Sequence, residues 1–160
     1  MKNFLFAIAV VVVCVGYCPA QMSLGRESLK GITAVRVVVE DFSSVLIAAG
    51  LNKDQIQQDV ELRLRKAGVK VVSQDTDSAP FIDLVIGGVN VSRTNATAYA
   101  MTLALYQSVL LQRDPSIKLT AQTWSSSLAV GYFVNVPQVR NSVGDVVDAF
   151  INDYLSQNQR

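Results

Sequence analysis

Histidine is absent from the 160 residues, and the two cysteines, Cys14 and Cys18, both fall within the first twenty. The first absence excludes any histidine-dependent triad. With the first twenty residues removed, the second leaves no disulfide, no thiol nucleophile and no zinc site of the usual Cys/His kind. An excess of charge is lacking too: 14 Lys and Arg stand against 13 Asp and Glu. Without Lys2 the balance is 13 to 13 and the net charge zero, which argues against an electrostatic nucleic-acid role. There is no internal repeat and no low-complexity run. Nor is any apolar run long enough for a comfortable membrane span, which needs about 20 residues.

What the chain does have begins with an export pattern. Lys2 supplies a positive start, Phe4 to Val15 an apolar core, and Cys18-Pro19-Ala20 small residues before a cut. Cleavage is expected after Ala20, making Gln21 the new N-terminus; an uncleaved anchor is the alternative. Val13 and Tyr17 precede the cysteines where a lipoprotein signal needs a small residue, so no lipid is expected on either cysteine. The expected location is periplasmic or secreted, with no membrane span after cleavage. The 140 residues that remain (160 less 20) suit one domain with its own core.

The organising stretch is Leu51 to Val72. Asn52 reads as an N-cap with Gln55 three residues on, and Leu51 and Ile56 are placed to staple the entry. Ile56, Val60, Leu64 and Ala67 share one face of a helix over 53–67. Asp54 and Asp59 come early and Arg63, Arg65 and Lys66 late, complementing the helix dipole. Gly68 ends the helix, and Val69, Val71 and Val72 have the branching of a strand. Leu62 lies off the stripe.

Before this unit, residues 21–30 read as a flexible polar segment, and 32–40 as a nearly continuous apolar strand suited to cover on both sides. The connection 41–50 has room for a turn of helix at 44–49. Strand, helix and the strand at Val69 make a βαβ unit. After a polar loop at 74–80, Phe81 to Val91 is a strand with Gly87-Gly88 marking a bulge or bend. Thr97 to Arg113 alternates clearly, with Tyr99, Met101, Leu103, Leu105, Val109 and Leu111 on one face. Asp114-Pro115-Ser116 reads as a hairpin turn and Ile117 to Phe133 as the returning strand, whose inward face switches at Ser125 to Ser127. Seventeen extended residues at about 3.3 Å each span roughly 56 Å, so the hairpin must twist, bend at a bulge or project. The closing helix carries Val136, Val139, Val143, Val146, Val147, Phe150 and Tyr154 in one stripe, flanked by Ile151 and Leu155. It starts either near Pro137 or at a Ser142/Asp145 cap.

The expected fold is therefore α+β, in the order βαββββα. Two amphipathic helices pack on one face of about five mostly antiparallel strands. One domain spans 31–157, with 158–160 frayed. The other sheet face carries small and polar residues, with Tyr106 and Trp124.

No constellation of catalytic residues emerges, and no metal site or cofactor is expected. Glu40, Asp41, Asp75, Asp77 and Asp83 lie near strand ends, where a carboxylate pair would support hydrolysis, but loop residues of this kind are common. Asn90-Val91-Ser92 and Asn95-Ala96-Thr97 match glycosylation sequons and read as turn chemistry. Tyr99, Tyr106, Trp124 and Tyr132 are the candidates for an aromatic contact surface.

The export signal, GLNKDQIQQDVELRLRKAGVKV, the hairpin ending in AQTW and the closing DVVDAFINDYLSQN together resemble small uncharacterised exported bacterial proteins. The layout is also similar to envelope accessory domains of the TolB amino-terminal and LptE types. That resemblance implies assembly rather than catalysis, although the lipidated cysteine of the LptE type is missing. The expected function is a non-catalytic binding or envelope-assembly module, and the expected partner an envelope protein or a second copy engaged through the long hairpin. A carrier of a small apolar ligand is the alternative, and a carboxylate hydrolase a third reading.

Overall fold

The computed structural model describes residues 25–72 and 79–158. The expected signal, the strip 21–24 and the tail 159–160 lie outside them.

The chain enters through a short 3-10 turn, Arg26–Leu29, and then forms β1 (Arg36–Val39), α1 (Ser44–Ala48) and α2 (Lys53–Lys66). Four strands follow, β2 (Phe81–Asn90), β3 (Thr97–Leu111), β4 (Asp114–Ser125) and β5 (Ala129–Phe133), and then α3 (Val136–Asn158). The fold is α+β with one open five-stranded sheet. Strands β1 to β4 lie side by side in sequence order, and β5 also pairs with β3. Only β1 and β2 run parallel.

The strand count agrees with the expectation, but the strands are different ones and the order βαββββα needs correcting. The stretch after α2 contributes a single parallel bridge, Val35 to Val71. The reason is the helix end. Gly68, at φ +84°, gives its N–H to the Arg65 carbonyl and Val69 gives its own to Leu64, which completes a Schellman cap. Val69 is thus engaged, and Lys70 to Val72 make only two bonds to Val35. The expected returning strand is instead two strands. Between them Ser126 donates its N–H to the Leu103 carbonyl at 2.8 Å and accepts the Leu103 N–H on Oγ at 3.0 Å.

The face of this returning chain switches twice. Cross-strand pairs put Ala121 beside Gln107 and Trp124 beside Leu105, with Thr123 as the extra residue of a bulge. A second offset falls at the serines, so Ala129 meets Met101. The hairpin turn is Gln112-Arg113 rather than Asp114-Pro115-Ser116, because β4 already pairs at Asp114. Pro115 then sits in an irregular stretch, where its missing N–H breaks no ladder. Residues 112–120 are all exposed, so the hairpin projects beyond the helix layer.

Gly87 and Gly88 are not a bulge: the β2–β3 register runs through them unbroken. The side chain of Leu46 occupies the place a Cβ of Gly88 would take, so glycine lets α1 lie against β2. Two edges of the domain also need correction. The segment 25–30 is docked, with Leu29 fully buried and Ser28 Oγ donating to the Thr123 carbonyl at 3.0 Å. Asn158 is not frayed. Its amide accepts from Gly31 N and donates to the Leu29 carbonyl, closing the C-terminal helix onto the entry turn.

All the described helices lie on one sheet face. Val37, Val39, Ile82, Leu84, Ile86, Met101, Leu103, Leu105, Trp124 and Phe133 point toward Leu46, Ile56, Val60, Leu64, Val143, Val147 and Phe150 in one core. The α2 stripe and its Asn52 cap, which accepts Gln55 N–H at 2.9 Å, are as the sequence predicts. Helix α3 starts at Val136, ahead of Ser142, because Asn135 accepts the Gln138 N–H while Gln138 Oε1 accepts the Asn135 and Val134 N–H groups, a capping box across Pro137.

Candidate binding surface

With every described helix on one side, the other side of the sheet stands bare among the described residues. Its residues are fixed by the register. Val89, Ala98 and Tyr132 make one cross-strand row, and Gly87, Ala100 and Val130 the next. Val85 beside Thr102 makes a third. No charged residue occurs in these three rows. Tyr132 is 75% exposed, Val130 69%, Val89 64% and Val85 41%. An antiparallel sheet with one solvated face ordinarily turns polar side chains outward. Here the outward positions in these rows are Val85, Gly87 and Val89 on β2 and Val130 and Tyr132 on β5, and an apolar patch of that kind marks a contact site.

Toward β1 the face changes character. Phe81 stacks on Tyr106 with ring centroids 5.2 Å apart, and the Arg36 guanidinium lies 5.2 Å from the Phe81 centroid. The next row is Val38, Asp83, Ala104 and Ser125. Asp83 Oδ1 is buried there without a hydrogen-bond partner. Its burial, and then the negative charge of Glu40, hold its carboxyl above the ordinary aspartate value. The Glu40/Asp83 neighbourhood therefore contains a raised carboxyl beside a second acid. Among the described residues, no group of three or more His, Cys, Asp or Glu side chains gathers where it would hold a metal.

The four aromatic candidates divide between the two sides. Tyr106 and Tyr132 belong to the bare face. Trp124 does not, and this corrects the expectation: it is 1% exposed, packs edge-on against Phe150 at 5.1 Å and donates its indole N–H to Asp153 at 2.9 Å. The Thr123 bulge turns it inward. Tyr99 also faces the helices, sharing a 2.7 Å hydrogen bond with Ser142 of α3 and lying across Gly131. The structure adds Val85, Val89 and Val130, which a search for aromatics passes over. The signal was present in the sequence: β-branched residues occupy both parities of β2, Ile82 and Ile86 on one and Val85 and Val89 on the other.

On the opposite side of the molecule a groove of about 570 Å³ runs between α2 and α3, with Leu62 on its rim. Arg140 clamps Asp59 with bonds of 2.7 and 2.8 Å, and Arg63 clamps Asp148 through Nε at 2.6 Å. These pairs zip the seam of the two helices. Among the described residues no helix is long and apolar enough to cross a membrane.

No protein-family model matches the chain, and no curated protein sequence matches it. Solved structures do show likeness. A PelC dodecamer from Paraburkholderia phytofirmans is 9% identical, with TM-score 0.45 over 78% of this chain and 89% of that one. Rare lipoprotein B from Shewanella oneidensis is 13% identical, with TM-score 0.37 over 77% and 94%. A minor lipoprotein from Acinetobacter baumannii is 12% identical, with TM-score 0.34 over 80% and 91%. Likeness of this degree assigns no function.

Proposed function

We propose that the chain is an exported, non-catalytic binding or assembly module of the bacterial envelope, working through the bare face of its sheet. The observation that carries this is the set of uncharged rows around Val85, Val89, Val130 and Tyr132, exposed where a solvated sheet face would be polar. The export pattern of residues 1–20 supplies the compartment. A ligand held between sheet and helices is less well supported, because Trp124, Phe133, Phe150, Met101 and Leu105 fill that layer. Of the Glu40/Asp83 acids, Glu40 is exposed, which offers a hydrolase little exclusion of water there.

The test is capture from the native envelope. A tagged, exported copy is cross-linked in place, and its adducts are identified by mass spectrometry beside a Val130→Glu copy. One envelope protein, or the chain itself, recovered in defined ratio with the wild type and lost with Val130→Glu supports the reading. Identical adducts from both would refute the surface.

A further inference from the structure

We infer that the C-terminal half of β2 is a strand-addition edge, taken by an extended, uncharged segment of another protein. This rests on the reading of the chain as a binding module and names the backbone through which it binds.

The lane beside β2 is only half filled. β1 pairs with Phe81 to Leu84 and ends where Glu40 donates its N–H to the Leu84 carbonyl; the chain then enters α1. The hydrogen-bonding groups of a strand alternate between its two edges, so Ile86, Gly88 and Asn90 aim theirs to the same side as Leu84. Val91 shows the parity, because its N–H goes the other way, to the Ala96 carbonyl. Among the described residues nothing meets the edge groups of Ile86, Gly88 and Asn90. A donor and an acceptor at every second residue is the pattern that an extended peptide backbone completes. Edge strands are ordinarily blunted by charge, proline or a bulge. Residues 85–90, VIGGVN, hold no charge and no proline, and their register with β3 is unbroken.

The flanks set what the added strand carries. On the bare face it lies beside Val85, Gly87 and Val89, where a Cβ at Gly87 meets nothing closer than the Ala100 carbonyl at 3.9 Å, a notch that admits a side chain. On the helix side it lies beside Ile86 and Gly88, where Leu46 of α1 packs. Small or β-branched uncharged side chains suit both sides.

The chain supplies no such strand itself. Residues 73–78 connect Val72 and Ala79 at the other end of β1, roughly 16 Å from Glu40, and a loop of that length reaches only about 10 Å out and back. Signal removal leaves four residues before Gly25, which lies against the Thr123 carbonyl of β4. They reach about 13 Å, whereas β4 is about 14 Å from the open lane before any distance along the strands. Nor do two copies pair through this edge. Antiparallel β2 strands would lie about 4.8 Å apart with an α1 over each, and packed helices need about 8–10 Å between axes. A groove lined by Val45, Ala49, Phe133 and Val134 separates α1 from β5, so α1 is not drawn back from the edge.

Amide exchange of the exported, processed chain, read by NMR, tests this. In the free chain Ile86, Gly88 and Asn90 are expected to exchange fast, and Gly87 and Val89, which face β3, slowly. The probe is a capped hexapeptide of alternating valine and threonine, titrated to about 1 mM. Exchange at Ile86, Gly88 and Asn90 is expected to slow about tenfold once the peptide stands at about ten times its Kd. The same peptide with every backbone amide methylated is expected to change nothing. No slowing with the first peptide, or equal slowing with both, overturns the inference. Edge amides already protected in the free chain, with the protection lost on dilution, make a second copy the occupant and overturn it too. If the edge fails and Val130→Glu abolishes envelope capture, the binding module stands without strand addition. If the edge is protected and Val130→Glu leaves capture unchanged, the strand edge stands and the bare face falls.

Discussion

Asp153 accepts the Trp124 indole N–H on Oδ2 at 2.9 Å and the Arg26 guanidinium on Oδ1 at 2.8 Å. One carboxylate on α3 thus fastens β4 and the entry turn to the helix layer. Asp153→Ala leaves a buried indole N–H and a cation without their acceptor. The expected cost is about 3 kcal/mol, against roughly 1 kcal/mol for Asp153→Asn, which retains an acceptor for Trp124. Denaturant melts followed by Trp124 fluorescence check this, and equal costs for the two variants would show that Arg26 and Trp124 do not depend on the charge and shape of Asp153.

Gly88 and Leu46 form the second joint. A methyl group at position 88 would overlap the fully buried Leu46 side chain. Gly88→Ala is expected to cost about 1–3 kcal/mol, as overpacking of a filled core does. Leu46→Ala frees that space, so the double variant is expected to be more stable than the sum of the two single costs. A thermal-melt double-mutant cycle with no coupling would contradict the packing of α1 on β2.

The Asn52 cap is a local contribution. Asn52→Ala is expected to cost about 1 kcal/mol, and Asn52→Asp much less, because aspartate keeps the acceptor for Gln55 N–H. The loss should appear as faster amide exchange in the first turn of α2; uniform exchange rates across α2 in both variants would contradict it.

Asp83 carries a pH signature. Its carboxyl is held above the ordinary value by burial and then by Glu40, so the folded chain keeps this proton to higher pH than the unfolded chain does. Ionisation in place therefore costs stability. That cost is absent below the unfolded value of about 4 and grows as pH rises through the folded value. Asp83→Asn is expected to raise the melting temperature at pH 7, with the gain shrinking toward pH 4. A gain that stays constant with pH would mean that the charge of Asp83 is not its source.

Much of this was legible in the sequence because it is local. The Asn52 cap, the Ile56–Val60–Leu64 stripe, Gly68 and the alternation of β3 all act within a few residues, and the structure has them where periodicity and capping chemistry put them. The misreadings are non-local. Trp124 points inward because one extra residue, Thr123, is held in a bulge by Ser28 and Gln107, 95 and 16 residues away in sequence. Gly88 looked like a break because its reason, Leu46, lies on another element. The polar segment before Lys30 looked loose because its anchors, Asp153 and Asn158, come at the other end of the chain. The bare face was foreseen as small and polar. Its valines were visible, but which side of the sheet they occupy depended on the register of β5 against β3.

The central claim is that this bare face is where the protein does its work. A photo-cross-linking amino acid placed at position 130 of the exported chain, and illuminated in the native envelope, tests it most directly. The account predicts one discrete adduct from position 130, and none from the same group placed at position 62 on α2. No adduct from position 130, or the same adducts from both positions, would contradict it.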